Sequence, residues 1–152
     1  MTRLLLVGCV KSKASRIDHA RYLYQGQLWT LRRQYAESSG LPWAILSARH
    51  GVISPDCFIG PYDQTIEDTM RDDHLRLLWH SWVSVGIQRH FGLSQRNGEW
   101  PDDLVIEVHA GAPYVRALAD ALEHWPASLE HPVQGLQIGE QKRWYRERLP
   151  AP

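Results

Sequence analysis

The 152 residues hold only two cysteines, Cys9 and Cys57, carry no net charge, and contain no apolar run long enough to cross a bilayer. Two cysteines cannot build the disulfide framework of a small secreted domain, so free thiols in a reducing, cytoplasmic setting are expected. Basic and acidic residues balance at 17 each, which excludes a global positive field that would recruit nucleic acid; any such contact needs a local patch. A membrane helix takes about 18–20 apolar residues in succession. The opening Met1-Thr-Arg-Leu-Leu-Leu-Val-Gly8 is too short an apolar run for a secretory signal. Internal repeats, low-complexity tracts and linkers are also missing, so residues 1–152 read as one domain. At 43% hydrophobic and 22% charged residues, the composition is that of a globular domain able to bury a core.

Several chemical signatures are missing too. No Gly-x-x-x-x-Gly-Lys loop, dinucleotide-binding fingerprint, Gly-x-Ser-x-Gly elbow or His-Glu-x-x-His helix occurs. His74 and His80 lack ligand spacing, and the two cysteines lie far apart. Neither a metal nor an organic cofactor is expected.

What is present is an alternation of short apolar runs with helical patterns. Arg3–Cys9, Trp43–Ala48 and Leu104–Val108 read as buried strands, with Val133–Ile138 as a shorter fourth. Leu28, Leu31 and Tyr35 predict a helix ended by Gly40-Leu-Pro42. A long helix is expected over Ile66–His90, with Leu75, Leu78, Trp79, Trp82, Val83 and Ile87 on its buried stripe. Pro113 suits the first turn of another helix, faced by Val115, Leu118, Ala119 and Leu122, and Gly139 opens a last one carrying Gln141, Trp144 and Tyr145. Lys11–Gly26, Ser54–Gln64 and Gly92–Asp103 read as loops or surface connections. The pattern predicts an α/β fold, a three-layer α/β/α sandwich around a mostly parallel sheet of about four strands. Ligands of such sheets bind beyond the carboxyl ends of the strands. Attention therefore falls on Cys9–Lys13, Ser47–Gly51, His109–Gly111 and the turn at Gly139.

Each of these segments admits a functional and a structural reading. Lys11, Ser12 and Lys13 with free N–H groups suit an anion, or form a solvated basic loop. Cys9 is a nucleophile if nearby ammonium groups favour its thiolate, or a packed strand-end thiol. Ser47 and His50 suit substrate positioning, or belong to a turn in which Gly51 supplies positive φ. Tyr62 and Asp63 suit stacking of a planar base and activation of water, or Asp63 caps the following helix. Thr65 with Asp68 forms a second, structural capping pattern. His109 stands before a helix whose N–H groups can receive an anion, as ligand contact or general acid, or it is a hydrogen-bonded structural residue. Tyr22, Tyr24, Arg32 and Arg33 form either an aromatic and basic face for a phosphate backbone or ordinary surface charge.

Taken together, Val7-Gly-Cys-Val-Lys-Ser-Lys13, Ala20-Arg-Tyr-Leu-Tyr24 with Leu28-Trp29, Leu46-Ser-Ala-Arg-His-Gly51, Gly60-Pro-Tyr-Asp63, His109-Ala-Gly111 with Tyr114, and Gly135–Gly139 with Trp144 resemble a family of small, largely uncharacterised bacterial and phage proteins. The first motif is also distantly similar to the start of the α/β domain of archaeosine synthase, itself similar in fold to uracil-DNA glycosylases. That resemblance implies a three-layer fold and ligands built from a nucleobase with sugar or phosphate. The glycosylase water-activating motif has no match here beyond the Pro-Tyr echo in Gly60-Pro-Tyr-Asp63.

These readings converge on an enzyme acting on a nucleoside, nucleotide or modified base, hydrolysing or exchanging an N-glycosidic bond. Lys11 and Lys13 hold an anionic group, Tyr62 stacks, Asp63 activates water, His109 protonates the departing base, and Ser47 and His50 orient the sugar. Cys9, Gly51, Gly111 and Tyr114 complete the expected pocket. Two alternatives stand beside it. One is a base-modifying enzyme that uses Cys9 or Lys11 covalently; the other is a non-catalytic nucleotide- or nucleic-acid-binding module.

Overall fold

The computed structural model describes residues 2–93 and 100–151. The segment expected to be a surface connection, Gly92–Asp103, lies partly outside these residues. Strand β1 (Thr2–Gly8) is followed by the two-residue β2 (Asp18–His19) and a single helical turn, α1 (Ala20–Leu23). Helix α2 (Gln27–Ser38) leads to β3 (Trp43–Ser47), β4 (Gly51–Ile53) and β5 (Phe58–Ile59). Helices α3 (Ile66–Arg71) and α4 (Asp73–Phe91) precede β6 (Leu104–His109). Helix α5 (Ala112–Ala121), β7 (Ala127–Glu130) and α6 (Ile138–Arg148) complete the order.

The architecture is mixed α/β, built on a mostly parallel five-stranded sheet in the order β4-β3-β1-β6-β7. Strands β3, β1, β6 and β7 run parallel, and β4 returns antiparallel along β3. The chain thus steps from β1 to one side, to β3, and then crosses back to β6 on the other side. Beyond the carboxyl ends of β1 and β6 a crevice opens, the place where open sheets bind ligands.

Strand β1 is central because every second residue faces a different apolar cluster. Leu4 and Leu6 join Leu46, Trp79, Val83, Ile87, Val108 and Leu118, which come from β3, α4, β6 and α5. Leu5 and Val7 join Leu23, Tyr24, Trp29, Ala36 and Ile45 from the α1–α2 side. A third, smaller cluster of Leu31, Val133 and Tyr145 fastens α6 to α2. Among the described residues, no helix is long and apolar enough to cross a membrane.

Four expectations are corrected. The long helix is two helices: Asp72 is extended (φ −95°, ψ 118°), and its side chain accepts from the Leu75 N–H to start α4. Such a side-chain cap satisfies donors that a continuing helix would otherwise bond internally. Trp82 of the expected stripe is exposed, while Trp79, Val83 and Ile87 are buried. The fourth parallel strand is β7, which pairs with β6 and alternates between half-buried and exposed residues, and the expected strand over Val133–Ile138 is instead a turn at 132–135 followed by the start of α6 at Ile138. The segment over Lys11–Gly26 is not a plain loop. Lys13 and Tyr24 bridge, and Asp18–His19 pairs with Phe58–Ile59, a partner about 40 residues away that local pattern cannot reveal.

Two glycines set how closely these elements approach. Gly51 has φ 73°, and a Cβ there would lie 2.9 Å from backbone atoms of Trp82 and Val83 in α4. At the end of β1, a Cβ on Gly8 would lie 2.4 Å from the Cβ of Ala110. The ends of β1 and β6 are therefore closer than any side chain on Gly8 allows. Gly8→Ala is expected to destabilise the fold by about 1–3 kcal/mol, the usual cost of overpacking. Urea unfolding measures it, and a variant as stable as the wild type would show that the strand ends need not meet.

Candidate active site

A cavity of about 450 Å³ opens beyond the carboxyl ends of β1 and β6, a volume that suits one small ligand. Its wall includes Cys9, Val10, Lys11 and Lys13 after β1, and Gly111, Pro113 and Tyr114 at the start of α5. Asp63, Gln64, Thr65, Ile66 and Glu67 come from the segment entering α3, and Leu28, Arg32, Ile138 and Gln141 from α2 and α6. Stretches far apart in sequence thus meet because the sheet order brings their strand ends together.

Six residues of the expected pocket line this groove: Cys9, Lys11, Lys13, Asp63, Gly111 and Tyr114. Asp63 is exposed there, and among the described residues no protein group hydrogen-bonds its carboxylate. The cap that Asp63 was weighed for belongs to Thr65. Its hydroxyl accepts from the Asp68 N–H (3.1 Å), while Asp68 accepts from the Thr65 N–H (3.1 Å). Lys13 donates to the Lys11 carbonyl (3.1 Å), and its ammonium sits 4.3 Å from the centre of the Tyr62 ring. Burial lowers the Lys13 pKa, opposed by the nearby Cys9 and Asp63.

Beneath the groove lies a cluster of hydroxyl groups around the Cys9 thiol. Tyr114 Oη lies 2.8 Å from Cys9 Sγ, and Tyr62 Oη donates to the same sulfur at 3.5 Å. Tyr62 Oη also meets Tyr24 Oη and Ser47 Oγ, each at 2.7 Å. Ser47 Oγ accepts the N–H groups of Arg49 and His50, which leaves its own hydrogen for Tyr62. Burial, followed by the neighbouring Cys9, pushes Tyr24, Tyr62 and Tyr114 well above the ordinary phenol range, so they act as neutral hydroxyls.

This arrangement changes several expected roles. Ser47 is wholly buried and steadies Tyr62 rather than facing a sugar. The Tyr62 hydroxyl is committed to the cluster, and Lys13 covers a face of its ring. His50 packs edge-on against Tyr62 (ring centres 5.4 Å apart), and its pKa is lowered by burial and then by Arg49. His50 and Gly51 are not among the groove-lining residues, and Gly51 serves the turn against α4. Gly139 is an exposed residue in the first turn of α6 and marks no strand end. Tyr24 is buried, and the surface pair is Tyr22 with Arg33, the guanidinium 5.5 Å from the ring centre. Both cysteines are free, Cys9 buried and Cys57 exposed.

His109 ends β6 but points away from the groove. It is fully buried, with Nε2 2.7 Å from Glu107 Oε1 and Nδ1 2.8 Å from Tyr145 Oη. An ionised carboxylate only accepts, so Nε2 carries the hydrogen and Nδ1 accepts from Tyr145. Glu107 also accepts from Tyr35 (2.8 Å) and from Arg3 (3.0 Å), which pairs with Glu130 as well. The His109 bond, partly opposed by burial, holds the Glu107 carboxyl at about 2, with Tyr35 and Arg3 adding to the effect. Burial lowers the His109 pKa despite Glu107, and burial raises Tyr145 to about 12 against the pull of Arg32.

Arg32, expected on an aromatic and basic face or among ordinary surface charges, and Gln141, expected only as part of the last helix, both line the groove. Arg32 is 4% exposed, not a surface residue, and donates to Gln141 Oε1 (3.1 Å). A signal for it exists: Trp29, Arg32 and Ala36 are three and four apart, so a charged residue sits in the middle of a buried helical stripe.

Comparison with known proteins gives a match over residues 4–147 to a family described as "Family of unknown function (DUF6884)". No curated protein and no solved structure matches the chain.

The Glu107–His109 pair sets a sign for pH dependence. Both groups resist protonation in the folded state, whereas the unfolded chain takes up protons near 6.5 at His109 and 4.5 at Glu107. Their contribution is therefore complete above about pH 6.5 and is lost as pH falls toward 2. Glu107→Gln removes the charge that accepts from Arg3, Tyr35 and His109, while Arg3 keeps Glu130, and is expected to cost about 1.5–3 kcal/mol at pH 7. Its acid sensitivity below pH 4.5 should also weaken. Urea titrations at pH 7, 5 and 3 check both, and an unchanged midpoint for the variant at pH 7 contradicts the account.

Proposed function

The chain belongs to the family of unknown function DUF6884, and from its groove we propose an enzyme that acts on a nucleoside, nucleotide or modified nucleobase by hydrolysing or exchanging an N-glycosidic bond. The observation that carries this reading is Asp63, an exposed carboxylate without a protein partner among the described residues, in one small cavity with Lys11 and Lys13. We read the helices on both sides of the sheet as the outer layers of a three-layer α/β/α sandwich of the glycosylase-like kind. The motif resemblance and the apolar clusters on both faces support that reading.

Asp63 takes the proton of a water that attacks the anomeric carbon, and its charge steadies the oxocarbenium-like transition state. The electrons of the broken C–N bond pass to the base nitrogen, which takes a proton from Lys13. Burial makes that ammonium easier to deprotonate than a surface lysine, which suits it to the donor role. His109, held between Glu107 and Tyr145, leaves this role to Lys13. Val10, Ile66 and Pro113 offer apolar faces to a planar base. Such catalysis rests on positioning and electrostatics.

A second reading draws on the place of Cys9 in the groove wall beside Tyr114. There the thiol adds across a C=C bond of the base, the π bond breaking as the S–C bond forms and the thiol proton passing to the adjacent carbon, and intact-mass measurement of protein quenched with substrate shows an adduct that hydrolysis does not leave.

The test is base release from a panel of nucleosides and 5′-nucleotides, followed by chromatography. Asp63→Asn is expected to lower kcat by about 10²–10⁴-fold, the span of general-base catalysis, with KM little changed. Lys13→Ala should lower kcat less. Binding without release of base by the wild type, or full activity of Asp63→Asn, overturns the glycosidic reading.

A further inference from the structure

Arg32 is the most deeply buried arginine in the described chain and lines the groove from α2. Arg3, Arg21, Arg33 and Arg76 each meet a carboxylate although all are more exposed. Arg32 meets none within 4.0 Å among the described residues, and its buried Nε has no hydrogen-bond partner. Its Nη2 is held by Gln141 Oε1 at 3.1 Å, and Gln141 is itself fixed by donating to the Leu136 carbonyl at 2.9 Å. The guanidinium is therefore oriented, yet one donor of its fork is unused. Arginine keeps its charge on burial, and a buried charge without a counter-charge is costly. The surroundings feel that charge: Arg32 favours the deprotonated forms of His109, His131 and Tyr145.

We propose that Arg32, positioned by Gln141, is an anion subsite in the α2–α6 wall of the groove, and that the phosphate monoester of a nucleoside monophosphate occupies it. An oriented guanidinium offers two parallel N–H bonds to a pair of anionic oxygens. The choice of phosphate over carboxylate rests on the nucleoside reading above, because phosphate is the anion that a nucleoside carries. The counter-charge missing from the fold then arrives with the ligand. The subsite thereby selects monophosphates over uncharged nucleosides.

The experiment measures affinity by calorimetry at constant ionic strength, for the wild type, R32M and R32K. The probes are inorganic phosphate, ribose 5-phosphate, ribonate, nucleosides and their 5′-monophosphates. The wild type is expected to bind each monophosphate at least tenfold more tightly than its nucleoside, and ribose 5-phosphate more tightly than ribonate. In R32M the preference should fall to within twofold, with a melting temperature in phosphate-free buffer no lower than that of the wild type. R32K keeps the charge without the fork and should lose at least threefold of the preference, which serves as the test if R32M does not fold. A wild type without phosphate preference, or variants that retain it in full, overturns the subsite. Tighter binding of ribonate than of ribose 5-phosphate overturns the choice of phosphate. Equal binding of ribose 5-phosphate and nucleotides, with no base release, overturns the nucleoside reading and leaves the subsite standing.

Discussion

Strand β1 has no face left for water: Leu4 and Leu6 are claimed by the cluster under α4 and α5, and Leu5 and Val7 by the cluster under α1 and α2. A strand buried on both sides can present polar chemistry only at its ends. At the carboxyl end, Gly8 meets Ala110 so closely that β1 and β6 finish side by side. Cys9 and Gly111 follow directly, and the groove opens between them. The position of the site is thus a consequence of how the core is closed.

That dependence explains what was legible in the sequence. Short apolar runs ending in Gly-Cys, Ser and His-Ala-Gly mark the strand ends, and sheet geometry gathers several of the following residues, including Cys9, Lys11, Lys13 and Gly111, around one cavity. Local pattern could not say which way a strand-end side chain turns. His109 looked like a groove residue because it ends β6. The alternation along β6, however, puts it on the side of Glu107, where Tyr145 of α6 completes its bonds. Ser47 was drawn inward by the two N–H groups it accepts and by Tyr62. The break between α3 and α4 was equally hidden, since one extended residue, Asp72, interrupts an otherwise helical pattern. Pairing of β2 with β5 depends on tertiary contact alone.

Two buried polar assemblies flank the groove, and they differ in how fully they are closed. In the first, Tyr24, Ser47, Tyr62 and Tyr114 surround Cys9 with neutral hydroxyls, so the thiol sits among donors that cost little to bury. In the second, Arg3, Tyr35 and His109 all spend hydrogens on Glu107, and Tyr145 spends its own on His109. The carboxylate at its centre is therefore compensated on every side, which is why its ionised form survives burial.

Arg32 stands where this second assembly reaches the groove, and there compensation stops. Tyr145 gives its hydrogen to His109 and can offer Arg32 only the lone pairs of a neutral phenol, and Gln141 offers only the dipole of one amide oxygen. Evolutionary economy would fill such a position with a leucine, since replacing buried ions by apolar side chains is often stabilising. A fold that closes the Glu107 network so fully leaves its one uncompensated buried guanidinium among the described residues beside the cavity. The same logic separates the two ends of the groove. At Lys13, Asp63 provides a neighbouring opposite charge within the protein, so that end is suited to moving protons. At Arg32 no carboxylate is close enough to pair among the described residues, so that end is suited to holding an anion in place while they move.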